Sequence, residues 1–147
     1  MRAVANIAVP FNEADFAWSA VPGKSTITGQ AFMMQPNAEV KTCAGQQAVL
    51  IPHNAYSMDI RRIGLSGAIP NRDPRYMQYR KVRLCDAAGH FRFDNLPAGT
   101  WRVVVDVAWF DPRLPGIQQG SGLDQVVTTN GTDTKDVVLT EANKITP

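Results

Sequence analysis

Long apolar runs are missing from this 147-residue chain. No stretch of eighteen apolar residues occurs, so no membrane-spanning helix and no membrane insertion are expected. Charge of one sign is also scarce. The formal net charge of +2 is too small to imply nucleic-acid or membrane binding by itself. At the N-terminus one basic residue, Arg2, precedes a short apolar stretch interrupted by Asn6 and Pro10. A signal-peptide apolar core is lacking, so the expectation is a virion- or cytoplasm-assembled protein, or the mature form of an extracytoplasmic one. Cysteine is reduced to two residues, Cys43 and Cys85, without a CxxC pair, and a cysteine metal site is not expected. They are two buried thiols or one disulfide, the latter only if their strands are neighbours in an oxidising compartment.

Catalytic signatures are missing as well. Ser19, Ser25, Ser57, Ser66 and Ser121 lack a GxSxG elbow, and neither cysteine sits in a Cys-His signature. Phosphate-binding glycine loops and EF-hand loops are absent. No catalytic residue, metal or other cofactor is therefore expected.

What the chain does have is apolar content, 44% of its residues, and regular punctuation by ten prolines and eleven glycines. That combination suits many short strands joined by turns. Strands are expected at Ser25–Gln35 and Gln46–Pro52, separated by turns at Pro36-Asn37 and Ala44-Gly45. Further strands are expected at Tyr76–Asp86 and His90–Phe93, and a central one at Thr100–Phe110. In the last, Trp101, Val103, Val105, Val107 and Trp109 fall on one face, the period of a half-buried strand. After a long loop from Asp111 to Gly122, Leu123–Thr129 and Lys135–Thr140 read as a hairpin around Asn130-Gly131. The exception to the β rhythm lies at 53–66, where Tyr56, Ile60 and Ile63 recur at helical spacing before Gly64.

The stretch from Val82 to Val107 is distinctive. Asp86-Ala87-Ala88-Gly89 leads into His90-Phe91-Arg92-Phe93, then Asn95-Leu96-Pro97-Ala98-Gly99, then Trp101 and alternating valines. This resembles the carboxypeptidase regulatory-like domain, whose pattern is D-x-x-G-x-F-x-F-x-x-L-P-x-G-x-aromatic-x-V-x-V, with Trp101 where the family often has Tyr. The resemblance implies an all-β, two-sheet Greek-key sandwich of about seven strands, transthyretin-like, here with one short helix in the 53–66 insertion. It also implies an accessory, non-enzymatic module and names no ligand. Related enzymes are not supported. Intradiol dioxygenases place two iron-binding histidines close together, whereas His53 and His90 are 37 positions apart. The Tyr-Arg-Gly-Ser ending of hydroxyisourate hydrolase is absent from Asn143-Lys144-Ile145-Thr146-Pro147.

Residues 1–23 read as an N-terminal arm, 24–141 as the sandwich and 142–147 as a tail. Function is expected where the chain departs from the family pattern, in the arm and in a basic insertion. From Asp59 to Arg83 seven basic residues face two acidic ones. Candidate partner contacts are Phe11, Phe16, Trp18, Arg61, Arg62, Arg72, Arg75 and Tyr76, since aromatics and arginine are enriched at interfaces. The expected partner is a larger protein assembly, a cell envelope or virion surface, or a second copy of the chain. The alternative is a glycan stacked on Trp18, Trp109 or Tyr76. Nucleic acid is disfavoured, because the arginines can pair with the chain's own carboxylates. A metal-dependent enzyme on the same fold is the third reading.

Overall fold

The structure is a computed structural model and describes residues 2–145. Met1 of the expected arm, and Thr146 and Pro147 of the expected tail, lie outside the described residues. The protein is an all-β sandwich decorated on one face by helices.

The first sheet is organised by β2 (Ser25–Met34), numbered after a short β1 (Val4–Asn6). β3 (Val40–Thr42) pairs antiparallel with its end, from Phe32 to Met34. The second sheet contains β4 (Gln47–Pro52). A two-stranded parallel ribbon joins β1 to β5 (Ile69–Asn71). Next come β6 (Lys81–Leu84), β7 (His90–Leu96) and β8 (Gly99–Phe110), followed by β9 (Gln118–Thr129) and β10 (Thr134–Leu139). β7 runs antiparallel to β2 and β10 runs parallel to it, while the second sheet has the order β6-β4-β8-β9, all antiparallel.

Alternation along β8 decides which faces meet. Trp101, Val103, Val105 and Val107 are fully buried between the sheets, with Trp109 partly buried beside them. They pack with Ala48, Leu50, Leu123 and Val127 of their own sheet against Ile27, Ala31, Phe91, Phe93, Val137 and Leu139 of the other. Each such large side chain contributes about 1.5–3 kcal/mol on burial. Gly29 makes this contact possible, because the Phe91 ring lies where its Cβ would stand, 2.2 Å away. The Cys43–Cys85 disulfide joins the ends of β3 and β6, with the Cα atoms 5.8 Å apart, and so ties one sheet to the other.

Several expectations are corrected. Asn130-Gly131 does not close a hairpin: β9 pairs with β8, and β10 crosses to pair with β2. The turn is bound to β2 instead, Ser25 Oγ donating to Asp133 Oδ1 at 2.6 Å while the Gly131 N–H donates to Ser25 Oγ at 2.9 Å. β9 starts at Gln118, so the loop after β8 is shorter than expected. Gly120 and Gly122 are in the strand, and Gly120 has a φ of +110°. The strand expected from Tyr76 is confined to 81–84, because Asp73 and Pro74 start a helical turn over Pro74–Gln78. Short β1 and β3 escaped the sequence pattern altogether.

Residues 2–23 are bound to the body. The Trp18 indole lies over Gly99, where a Cβ would come within 2.0 Å of the ring, and its centroid is 4.8 Å from that of Trp101. Phe16 is fully buried in a second core, on the outer face of the second sheet, with Ile51, Tyr56, Ile60 and Tyr76.

Candidate functional site

The outer face of the second sheet carries the residues between the core positions: Val49 and Ile51 on β4, Arg102, Val104 and Asp106 on β8, and Asp124 on β9. The helix α1 (Ala14–Ala17) brings Phe16 to this face. The longer α2 (Ala55–Leu65) covers part of it. Its start is fixed by a reciprocal cap: the Ser57 N–H donates to Asn54 Oδ1 at 2.9 Å, and the Asn54 N–H donates to Ser57 Oγ at 3.0 Å. Ser57, Ile60, Arg61, Gly64 and Leu65 recur at three- and four-residue spacing, so one face of α2 presents all five to the sheet. α3 (Pro74–Gln78) closes the far side with Tyr76.

Between α2, α3 and the sheet lies an open cleft of about 470 Å³, within the range of small-molecule sites. Its wall mixes apolar residues, among them Val49, Leu65 and Val104, with the polar Gln47, Arg61, Arg72, Arg80, Asp106 and Asp124. Beyond Asp106 it continues into a depression of about 280 Å³ that Gln46, Gln118, Gln119 and Ser121 line.

A buried ion network holds the cleft floor. Arg61 Nε and Arg102 Nη1 both donate to Asp124 Oδ2, each at 2.7 Å. Arg102 is 6% exposed, its Nη2 is 2.9 Å from Met58 Sδ and 3.3 Å from His53 Nδ1, and its Nε has no partner. Burial pushes the His53 pKa down, and the Arg102 charge adds to the effect. Burial raises the Tyr76 phenol, while the Arg72 and Arg80 charges act in the opposite direction, and all three residues line the cleft.

The expected contact residues divide into three groups. Phe16 and Tyr76 are inside the second core, 0% and 4% exposed, and leave no aromatic face for a partner. Phe11 stacks on Phe16 at 4.9 Å beneath the Arg75 guanidinium, and Trp18 is held between Gly99 and Trp101. Phe11, Phe16 and Tyr76 thus cover the outer face of the sheet, while Trp18 packs against the central core. Arg61, Arg62 and Arg75 are paired within the chain, with Asp124, Asp59 and Asp73. Arg72 makes no ion pair among the described residues and lines the cleft. Among the described residues no cluster of three or more His, Cys, Asp or Glu could hold a metal ion; His53 directly follows β4 of the second sheet, whereas His90 starts β7 of the first.

Sequence reasoning missed Arg102, Asp106, Asp124 and Gln47. A signal was available: Arg102 and Asp106 are the charged residues of an otherwise apolar TWRVVVDVAWF run, and they alternate with its inward valines.

No protein-family model and no curated protein matches the chain. Its backbone is similar to a solved structure, a "putative carbohydrate binding protein" from Pseudomonas aeruginosa, with a TM-score of 0.74 over 90% of this chain and 99% of the other. The two share the fold. At 21% identity the likeness extends no further.

Proposed function

We propose that the protein is a non-enzymatic binding module and that the cleft between α2 and the second sheet takes a saccharide. One observation carries the reading: an open cleft on a rigid sheet face, walled by Gln47, Arg72, Arg80 and Asp106 and floored by a network that fixes its shape. Planar amide, carboxylate and guanidinium groups match the vicinal hydroxyls of sugars, which accept and donate together. The likeness in fold to a protein described as binding carbohydrate supports the same reading. Titration against a glycan panel, followed by amide chemical shifts, tests it. Shifts confined to residues 104–106 and 72–80 are expected, and Asp106→Ala is expected to weaken binding about tenfold. A blank panel would sink the proposal.

A second reading, docking into a larger protein assembly, is favoured by one specific surface. Phe110, Ile117 and Met34 are 65%, 56% and 56% exposed, with Val40 and Leu114 also exposed. These residues lie where β8, β9, β2 and β3 end and begin. Assembly through this tip would replace the arm and insertion expected from the sequence. Light scattering of the wild type and of Phe110→Ser/Ile117→Ser tests it, and a monomer in both would remove it.

The transthyretin-like, carboxypeptidase regulatory-like assignment is also a proposal. What supports it is the turn after β6: Asp86 Oδ1 accepts from the Ala88 and His90 N–H groups, both at 2.9 Å, and Gly89 has a φ of +80°. Asp and Gly in that motif therefore have a geometric reason.

A further inference from the structure

We infer that the cleft selects an acidic saccharide chain, seating a carboxylate between Arg72 and Arg80 while neighbouring units run over Asp106 towards Gln118 and Gln119. This rests on the saccharide reading above and deepens it. Four arginines line the cleft against two carboxylates, and they are not equivalent. Arg61 and Arg102 share Asp124 as their carboxylate partner at the floor. Arg72 and Arg80, which flank α3, have no carboxylate within 4.0 Å among the described residues, although Arg61 and Arg62 of α2 and Arg75 of α3 each have one. Both line the cleft together with Tyr76, on the side that α3 and its flanks supply.

Two guanidinium groups without a carboxylate partner in the lining of one cleft attract an anion. A forked donor of this kind matches a planar carboxylate in two-point contact. The rest of the lining argues against a compact anion as the whole ligand. Among the described residues no side chain donates a hydrogen bond to Asp106, which stands where the 470 Å³ cleft meets the 280 Å³ depression. Past it the wall changes to uncharged Gln46, Gln118, Gln119 and Ser121. A carboxylate there would repel a second anionic group, whereas it would accept from hydroxyls. The order along the groove is therefore cation pair, carboxylate, amides. That pattern fits a sugar chain with an acid at one subsite and hydroxyls at the next, and it disfavours a nucleic acid, which would bring a phosphate to Asp106.

Isothermal titration with uronic-acid oligomers of several stereochemistries, each beside its methyl ester, tests the inference. Esterification removes the charge and leaves the ring hydroxyls. The acid of at least one oligomer is expected to bind tenfold or more tightly than its ester, and Arg72→Gln/Arg80→Gln is expected to abolish that difference. Arg92→Gln, on the other sheet, serves as the charge control, and the melting temperature of each variant reports its folding. Equal binding of acids and esters with no effect of the double variant would overturn the acid preference and leave the saccharide site standing. No binding by acids, esters or neutral glycans would overturn both. An oligonucleotide of equal charge that displaces the bound oligomer at matching concentration would overturn the saccharide assignment of the arginine pair.

Discussion

Arg102 and Asp124 meet diagonally across β8 and β9, Nη1 to Oδ2 at 2.7 Å, with 8% of each side chain exposed. Asp124 is shared with Arg61, so one carboxylate answers two guanidinium groups. Removing it leaves Arg102 charged and buried without a counter-ion. Asp124→Asn is expected to destabilise the fold by about 3–5 kcal/mol, read from urea denaturation. A loss below about 1 kcal/mol would show that solvent already screens the pair.

His53 makes stability pH-dependent. Its pKa in the fold is below the ordinary 6.5, through burial and then through Arg102. The unfolded chain therefore binds the proton first, and folding stability falls as pH drops below about 6.5, levelling once the folded pKa is passed. Thermal melts between pH 5 and 7.5 should show this slope in the wild type and a reduced slope in His53→Gln.

Asp59 fastens the N-terminal segment. Its Oδ2 accepts from the Ala8 N–H at 2.7 Å, and Arg62 pairs with the other oxygen. The Ala8 hydrogen bond first, then Arg62, holds its pKa below 3.8, so the contact is lost as pH falls through the folded value. Amide exchange at Ala8 is expected to accelerate in Asp59→Asn at neutral pH, with the core amides of β8 unchanged.

Reduction of Cys43–Cys85 opens a loop spanning 42 positions. By chain entropy this costs about 4 kcal/mol. Reductant is expected to lower the melting temperature markedly and to have no such effect on Cys43→Ala/Cys85→Ala, whose melting point should already match the reduced wild type.

Gly29→Ala pushes a methyl group into the Phe91 ring, and a loss of about 1–3 kcal/mol is expected. Shortening the opposing side chain in Gly29→Ala/Phe91→Leu should recover part of it. Strictly additive losses would show that β2 accommodates the methyl by shifting.

Strands with a strict two-residue period were legible in the sequence. Trp101 to Val107 announced the central strand, and Tyr56, Ile60 and Ile63 announced α2, because burial on one face imposes a period. The crossing of β10 was not legible, since Asn130-Gly131 suits any tight reversal and partner choice depends on Ser25, more than a hundred residues away. How the arm packs was not legible for a related reason. Phe11 and Phe16 look like free apolar surface until α2 and α3 supply Tyr56 and Tyr76 to receive them. Of the cleft, the arginines of the insertion were visible, but the carboxylate that pairs with Arg61, Asp124, comes from the distant strand β9.

The placement of β10 beside β2 sets the order in which the molecule can be completed. Lys135 is opposite Ile27, and Leu139 is opposite Ala31. One flank of the first long strand therefore stays unpaired until the last strand has been made. Such distant pairings slow folding towards milliseconds to seconds and leave the flank open to pairing with other chains in the meantime. A nascent or refolding chain should thus be most prone to aggregate through β2, and a short peptide copying 134–139, added in excess during refolding, should compete for that site.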